Sequence, residues 1–334
     1  MKIIVGNNEY THFSSYKINL KLDAIASTFS FTGLKDFVED YLTYKNICIY
    51  RDNGELLITG TVLSPDLLAS TKPELIQLNG YSKPGVLEDV DIPTELYPLQ
   101  FDRLTLREVA TQILGWFDID FVVDPVVQSA MDKTFEKINE NPGTSPKQMI
   151  NKLASQRNII LSHDKEGRVV FTRLQPDKQV PVASIKDGDT GLKQMRLSID
   201  AKSMHSSITA VREASRDNPD AAEATVVNPY LRNIKRPAVK TMRSGDIFDV
   251  GTAARNILVQ ELTNIELIVD TTKFVRPGEL IEVQSDMLKI KRPRLFFVRS
   301  VDIEGVATGD VEKYKWICVP KDVYTDVEPE NVFE

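Results

Sequence analysis

The chain has 334 residues, 42% hydrophobic and 27% charged, with a net charge of −7; this is the composition of a globular protein large enough for two or three domains with cores of their own. That charge argues against generic adhesion to nucleic acid, and no apolar run approaches the length of a membrane span. Two widely separated cysteines, Cys48 and Cys318, sit in apolar strand-like runs and read as buried small hydrophobes, which fits a chain made in a reducing cytoplasm and not a disulfide scaffold.

Met1-Lys-Ile-Ile-Val5 turns polar at Gly6, too early for the core of a signal peptide, so none is expected. Strand-like alternation then follows at Tyr16–Leu22, Asn46–Tyr50, Glu55–Thr59 and Glu74–Leu78. Asn53-Gly54 predicts a two-residue hairpin turn, because both residue types tolerate positive φ. Gly33 to Tyr44 is the one helix expected in this part. Strands separated by turns, with little helix, suggest a small barrel or sandwich over residues 1–95.

Pro84, Pro93 and Pro98 punctuate an acidic passage (Glu88, Asp89, Asp91, Glu95) that reads as the link into a middle domain, 96–180. There one pattern is written twice at an offset of 40 (145 − 105): Thr105-Leu-Arg-Glu108 leads into Phe121–Asp124, and Ser145-Pro-Lys-Gln148 into Leu161–Asp164. Each copy opens with a capping box, in which the hydroxyl accepts from the N3 amide and the N3 side chain reaches back to the cap. Behind the caps, Leu106, Val109, Ala110, Ile113 and Phe117, then Met149, Ile150, Leu153 and Ala154, have the spacing of one-faced helices. The second unit closes in a hairpin, Asn158–Leu161 against Val169–Arg173, through the turn Asp164–Gly167. Gln175-Pro176-Asp177 ends the domain.

Strands resume at Met195–Ile199 and Ser207–Arg212. The polar stretch 214–245, with Pro219, Pro229 and Pro237, lacks either period and reads as a long loop or arm. A helix over 250–262 carries Ala253, Ala254, Ile257 and Leu258 on one face. Ile265–Val269, Leu280–Val283, Leu295–Val301 and Tyr314–Val319 read as strands, the last two pairing around Gly305 and Gly309. These make a second small barrel, 181–325, with an inserted loop and helix, followed by an acidic tail, 326–334, expected to be mobile. The fold class is therefore α+β, mainly β: two small β-barrel domains flanking a middle α/β domain with a helix-strand repeat.

Candidate chemistry is sparse. His12, His163 and His205 lack metal-ligand spacing, and no cysteine pair accompanies them. Ser162-His163-Asp164 looks like a triad, but neighbours on a strand point to opposite faces while a triad converges on one point. Asp187-Gly-Asp-Thr-Gly191 resembles part of a calcium loop without its later bidentate Glu. Glycine-rich phosphate cradles are missing, and among 48 Asp and Glu no carboxylate pair is singled out. No catalytic residue, cofactor or metal is expected. Arg232, Lys235, Arg236, Lys240 and Arg243, with Pro229, Tyr230 and Pro237 among them, form the candidate partner-binding cluster for an acidic surface or passing DNA, against the alternative of a solvated loop.

Several stretches in their order resemble a family. Ile18 to Phe31, the hairpin ending Ile58-Thr-Gly60, and Ile76 to Asp89 are similar to the opening barrel of the baseplate hub proteins of Mu-like contractile-tailed phages. Leu104 to Asp124 with Ser145 to Arg173 resembles that family's middle domain, and Phe274-Val-Arg-Pro-Gly to Val283, with the hairpin ending at Pro320, its second barrel. The match spans nearly the whole chain, and 214–245 departs from it. The resemblance implies a non-enzymatic homotrimer whose six barrels form a pseudo-sixfold ring. Such a ring joins the hexameric tail tube to the trimeric central spike and touches other baseplate proteins. DNA passes its channel without specific binding. It implies assembly in the host bacterial cytoplasm, residence in the virion baseplate, and no membrane insertion by this chain. A tail-associated peptidoglycan hydrolase and a host-glycan-binding tail module remain the alternatives.

Overall fold

The computed structural model describes residues 1–34, 44–68, 75–135, 137–212, 222–242, 250–306, 312–325 and 329–334. The first part supplies β1 (Lys2–Val5), β2 (Asn8–Tyr10), β3 (Ser15–Lys21), β4 (Thr28–Leu34), β5 (Asn46–Tyr50), β6 (Leu56–Leu68) and β7 (Leu75–Ser82). Next come α1 (Val86–Asp89), β8 (Gln100–Asp102), α2 (Leu106–Trp116), β9 (Phe121–Val123), α3 (Gln128–Met131), β10 (Lys137–Asn139), α4 (Pro146–Ser155), β11 (Ile160–His163) and β12 (Val169–Thr172). The last part supplies β13 (Ala183–Lys186), β14 (Leu192–Ile199), β15 (Ser207–Arg212), β16 (Ala222–Val227), β17 (Pro237–Met242), α5 (Val250–Glu261), β18 (Ile265–Thr271), β19 (Leu280–Ser285), β20 (Ile290–Val306) and β21 (Lys313–Pro320).

The mainly β character expected from the alternation is present, and the two β-rich ends of the chain are hydrogen-bonded to each other. Thirteen strands form one sheet, in the order β14-β18-β21-β20-β3-β4-β7-β6-β5-β1-β2, with β19 and β13 branching from β20. The seam pairs Ser300–Val306 of β20 with Ser15–Lys21 of β3. The sheet curls into a half-barrel. Its core crosses the seam: Ile18, Leu20, Phe31, Ile49 and Leu78 from one end meet Val269, Phe296, Val301 and Trp316 from the other. A bulge at Arg299 shifts the register of β20 against β21, and such bulges bend a strand. Arg299 is held there by Asp23 and Glu266, at 2.9 Å each. Two glycines permit close crossing where β6 meets β7: a Cβ on Gly60 would lie on the Tyr81 carbonyl, and one on Gly80 on the Thr61 carbonyl and the Phe29 ring.

Both predicted capping boxes form, at Thr105 with Glu108 and at Ser145 with Gln148. The apolar faces of α2 and α4 meet in one core with Leu87, Ile92, Leu99, Leu161, Val169 and Phe171. The passage read as a linker thus contributes α1 and buried side chains to that core. The strands after the two helices do not pair directly; β12 lies between them, antiparallel to β11 and parallel to β9. Arg157, 5% exposed, closes the domain by donating to the carbonyls of Ala130 (2.7 Å) and Lys133 (2.5 Å) and covering the Phe135 ring at 3.5 Å.

Four expectations are corrected or moved. Asn53 keeps an ordinary φ; Gly54 alone is left-handed (φ 82), and its amide donates to the Arg51 carbonyl, a longer turn than two residues. Gly33, expected to open a helix, belongs to β4, while residues 35–43 lie outside the described ones. The stretch 214–245 holds β16 and β17, which sandwich β15 in a three-stranded sheet, where the expectation was a loop. Ile208 with small Ala210, Ala224 and Ala238 packs against Ala254 and Leu258 of α5 there, and Pro237 starts an edge strand, a position that tolerates proline. The terminal residues pack where mobility was expected: Val332 is buried, Asn331 donates to the Pro229 carbonyl at 3.1 Å, and Tyr230 donates to the Glu330 carbonyl at 2.8 Å.

Candidate interaction surfaces

The large sheet buries one face in the main core; its other face buries Leu280, Phe297 and Val319 at one end in a second core and carries polar rows near the seam. Cross-strand partners share a face, so Gln194, Asp270, Lys315, Asp302 and Asn19 form one row over β14, β18, β21, β20 and β3. A second row holds Lys313, Glu304, Lys17, Ser30 and Asn79. Lys17 and Glu304 pair at 2.9 Å, and Asn19 donates to Asp302. Acids and cations are interspersed, so this face is close to charge-balanced although the chain carries −7. A shallow depression of about 410 Å³ lies over Lys193, Asp270, Asp302, Glu304 and Lys315.

The main path of the sheet ends at the edges β2 and β14, and its branch ends at the four-residue β13. An open edge offers unpaired backbone groups to another chain unless it is short, charged, bulged or interrupted by proline. β2 has three residues and is blunted by length. Elsewhere the three residues Lys291-Arg292-Pro293 bulge opposite Gln284 alone, since Val283 pairs with Arg294 and Ser285 with Ile290, which guards that part of β20. β14 has eight residues, one bulge at Lys193 and no proline, and is the least guarded of these.

The middle domain meets the first part of the chain through His163. Its Nδ1 lies 2.8 Å from the Ala24 carbonyl and its Nε2 2.7 Å from Ser27 Oγ. A carbonyl only accepts, so Nδ1 carries the proton and Nε2 of the neutral ring accepts from the Ser27 hydroxyl. This is the arrangement of a base-activated serine, yet Ser27 is 1% exposed and its Oγ already accepts from the Lys21 amide (3.2 Å). Its own amide is used by Ser82 Oγ (3.0 Å), which leaves it no donor for an oxyanion. The contact is a joint. Ser162 is buried, and Asp164 binds Arg168 at 2.6 Å instead of His163. Asp187, from the calcium-loop fragment, accepts from Ser285 Oγ (2.7 Å) and the Asp286 amide (2.9 Å) and so caps the β19–β20 turn. Among the described residues no group of three metal-ligating side chains forms, and no helix is long and apolar enough to cross a membrane.

Residues 90–173, the paired helix-strand units with their linker, match the family model of the second domain of gp44-like baseplate hub proteins. That segment is similar to a baseplate hub domain. Around that hub domain the whole fold is similar to solved tail proteins. One is the 43 kDa tail protein of prophage MuSo2 from Shewanella oneidensis, with 19% identity, a TM-score of 0.79, and coverage of 96% of this chain and 98% of that one. Another is a tail protein of Neisseria meningitidis MC58, with 18% identity, a TM-score of 0.81 and 97% of each chain. A type VI secretion component of E. coli, itself described as similar to the T4 tail proteins gp27 and gp5, shares the fold at 11% identity, a TM-score of 0.62, and 99% and 80% coverage. No curated protein sequence matches the chain. The resemblance to baseplate hub proteins of Mu-like phages is met by the hub-domain match and by these folds.

In the predicted basic cluster, two of the five side chains have partners within the chain. Arg236 is spent on the carbonyls of Met204 (3.2 Å) and Lys202 (2.8 Å), and Arg232 pairs with Glu334 at 3.3 Å. Lys235, two residues before β17, and Lys240 on β17 are exposed, and Arg243 lies outside the described residues. The polar face and the β14 edge escaped sequence reading. Alternation showed that such strands have a wet side, while their order in the sheet depends on pairings hundreds of residues apart.

Proposed function

We propose that this chain is the baseplate hub protein of a contractile phage tail, three copies of which close a ring between the hexameric tail tube and the trimeric central spike. The observation that carries this is the continuous sheet with its eight-residue edge at β14 and the polar rows of its second face near the seam. An edge of that length calls for another chain, and head-to-tail contacts close into a ring when the rotation fits. Two β-rich units per copy, divided at about residues 95 and 180 by the hub domain, give six similar surfaces to a sixfold tube and threefold symmetry to a spike. The similarity of the E. coli relative to gp27 and gp5 supports the same placement.

Turned inward, the charge-balanced face offers DNA a wet lining with no concentrated cation to arrest it, which suits passage without specific binding. Lys235, just before β17, and Lys240 on it are exposed and then available to an acidic neighbour in the baseplate. The site of action is the virion, after assembly in the host cytoplasm. Native mass measurement of the chain co-expressed with its spike tests the ring. Three copies on one spike trimer are expected, and a monomeric 1:1 complex or a twofold dimer refutes it.

A further inference from the structure

We infer that His163 is a pH-sensitive latch between the hub domain and the first part of the chain, closed by the neutral imidazole and loosened by the imidazolium. His163 ends β11 of the hub domain, and both its partners, Ala24 and Ser27, belong to the connection between β3 and β4. In the neutral ring every donor has an acceptor. After protonation Nε2–H points at Ser27 Oγ, which already accepts from the Lys21 amide, and the hydroxyl proton loses its acceptor.

The surroundings do not reward the added charge. Asp164 follows on the chain but is held by the Arg168 side chain and amide, at 2.6 and 2.9 Å. Glu88 on α1 is paired with Lys147 at 2.5 Å. Lys21, Lys165, Glu166, Arg168 and Arg276 line the same cleft of about 320 Å³, four cations against one further acid, and Arg276 is itself paired with Glu55. Burial is the largest influence on the ring and pushes its pKa below the ordinary value, outweighing the Ala24 carbonyl, Asp164 and Glu88, which pull it up. The sign follows. A lowered folded-state pKa means that the unfolded chain binds the proton more readily, so the latch contributes fully above about pH 6.5 and is lost as pH falls below it.

The experiment compares the full chain with His163→Gln, whose side-chain oxygen can accept from Ser27 but cannot become cationic. Thermal midpoints are measured from pH 8 to pH 5; His12 and His205 are present in both proteins, so their titration cancels in the difference. The wild-type midpoint is expected to fall relative to the variant's below about pH 6.5, with the two curves parallel above it. Hydrogen exchange of the wild type gives a second readout that does not depend on the variant folding. After correction for intrinsic rates, the amides of Lys21, Ser27 and β11 should lose protection about tenfold per unit of lowered pKa, while α2 and the β20–β3 seam hold. Parallel pH profiles for the two proteins, or protection lost evenly across the chain, would overturn the latch.

Discussion

Arg157→Met tests the claim that a buried guanidinium, and not the helix-strand repeat alone, holds the hub domain closed. The side chain is 5% exposed and supplies donors to two carbonyls near the end of α3, those of Ala130 and Lys133, while lying 3.5 Å over the Phe135 ring. Methionine keeps the aliphatic volume and removes the donors. Each carbonyl left without its donor costs about 1–3 kcal/mol, and the lost cation–π contact about 1 kcal/mol more. The expected loss is therefore about 3–7 kcal/mol, a large part of the 5–15 kcal/mol or so that holds a typical domain folded. Arg157→Lys should fall between, since an ammonium keeps the charge but not the planar fork that serves both carbonyls and the ring. Urea denaturation reports on the two regions separately: Trp116 ends α2 in the hub domain, and Trp316 is buried in the large sheet. A loss under about 1 kcal/mol for Arg157→Met at the Trp116 transition would refute the reasoning.

Thr105→Ala and Ser145→Ala should each destabilise the hub domain by about 1 kcal/mol, with faster hydrogen exchange in the first turns of α2 and α4; unchanged exchange would contradict the capping assignment. Gly80→Ala should cost about 1–3 kcal/mol or more by denaturant midpoint, because the added methyl meets the Thr61 carbonyl and the Phe29 ring, and a neutral outcome would mean that β6 and β7 separate freely. The purified chain is expected to release no fragments from isolated peptidoglycan, since the serine nearest a base has neither access nor oxyanion donors; saturable release abolished by Ser27→Ala would reverse that reading.

Local chemistry was legible in the amino-acid order. A capping box needs residues three apart, so Thr105 with Glu108 and Ser145 with Gln148 announced both helices, and the apolar spacing behind them named the core side chains that the structure buries. Alternation located β3, β5, β18 and β21, and the order of these phrases along the chain carried the resemblance to hub proteins. Pairings that join distant residues were not legible. Ser15–Lys21 meets Ser300–Val306 because two half-exposed strands can bury one continuous core by lying side by side, and neither strand names its neighbour. His163 found Ser27 across 136 positions, and the triad suggested by its chain neighbours dissolved because a strand sends adjacent side chains to opposite faces. Residues 222–242 looked like a loop because their inner face is only Ala224, Val226 and Ala238, too sparse to register as an apolar stripe until packed with α5. Periodicity records which side of an element is dry; which other element dries it is decided by packing between residues far apart in the chain.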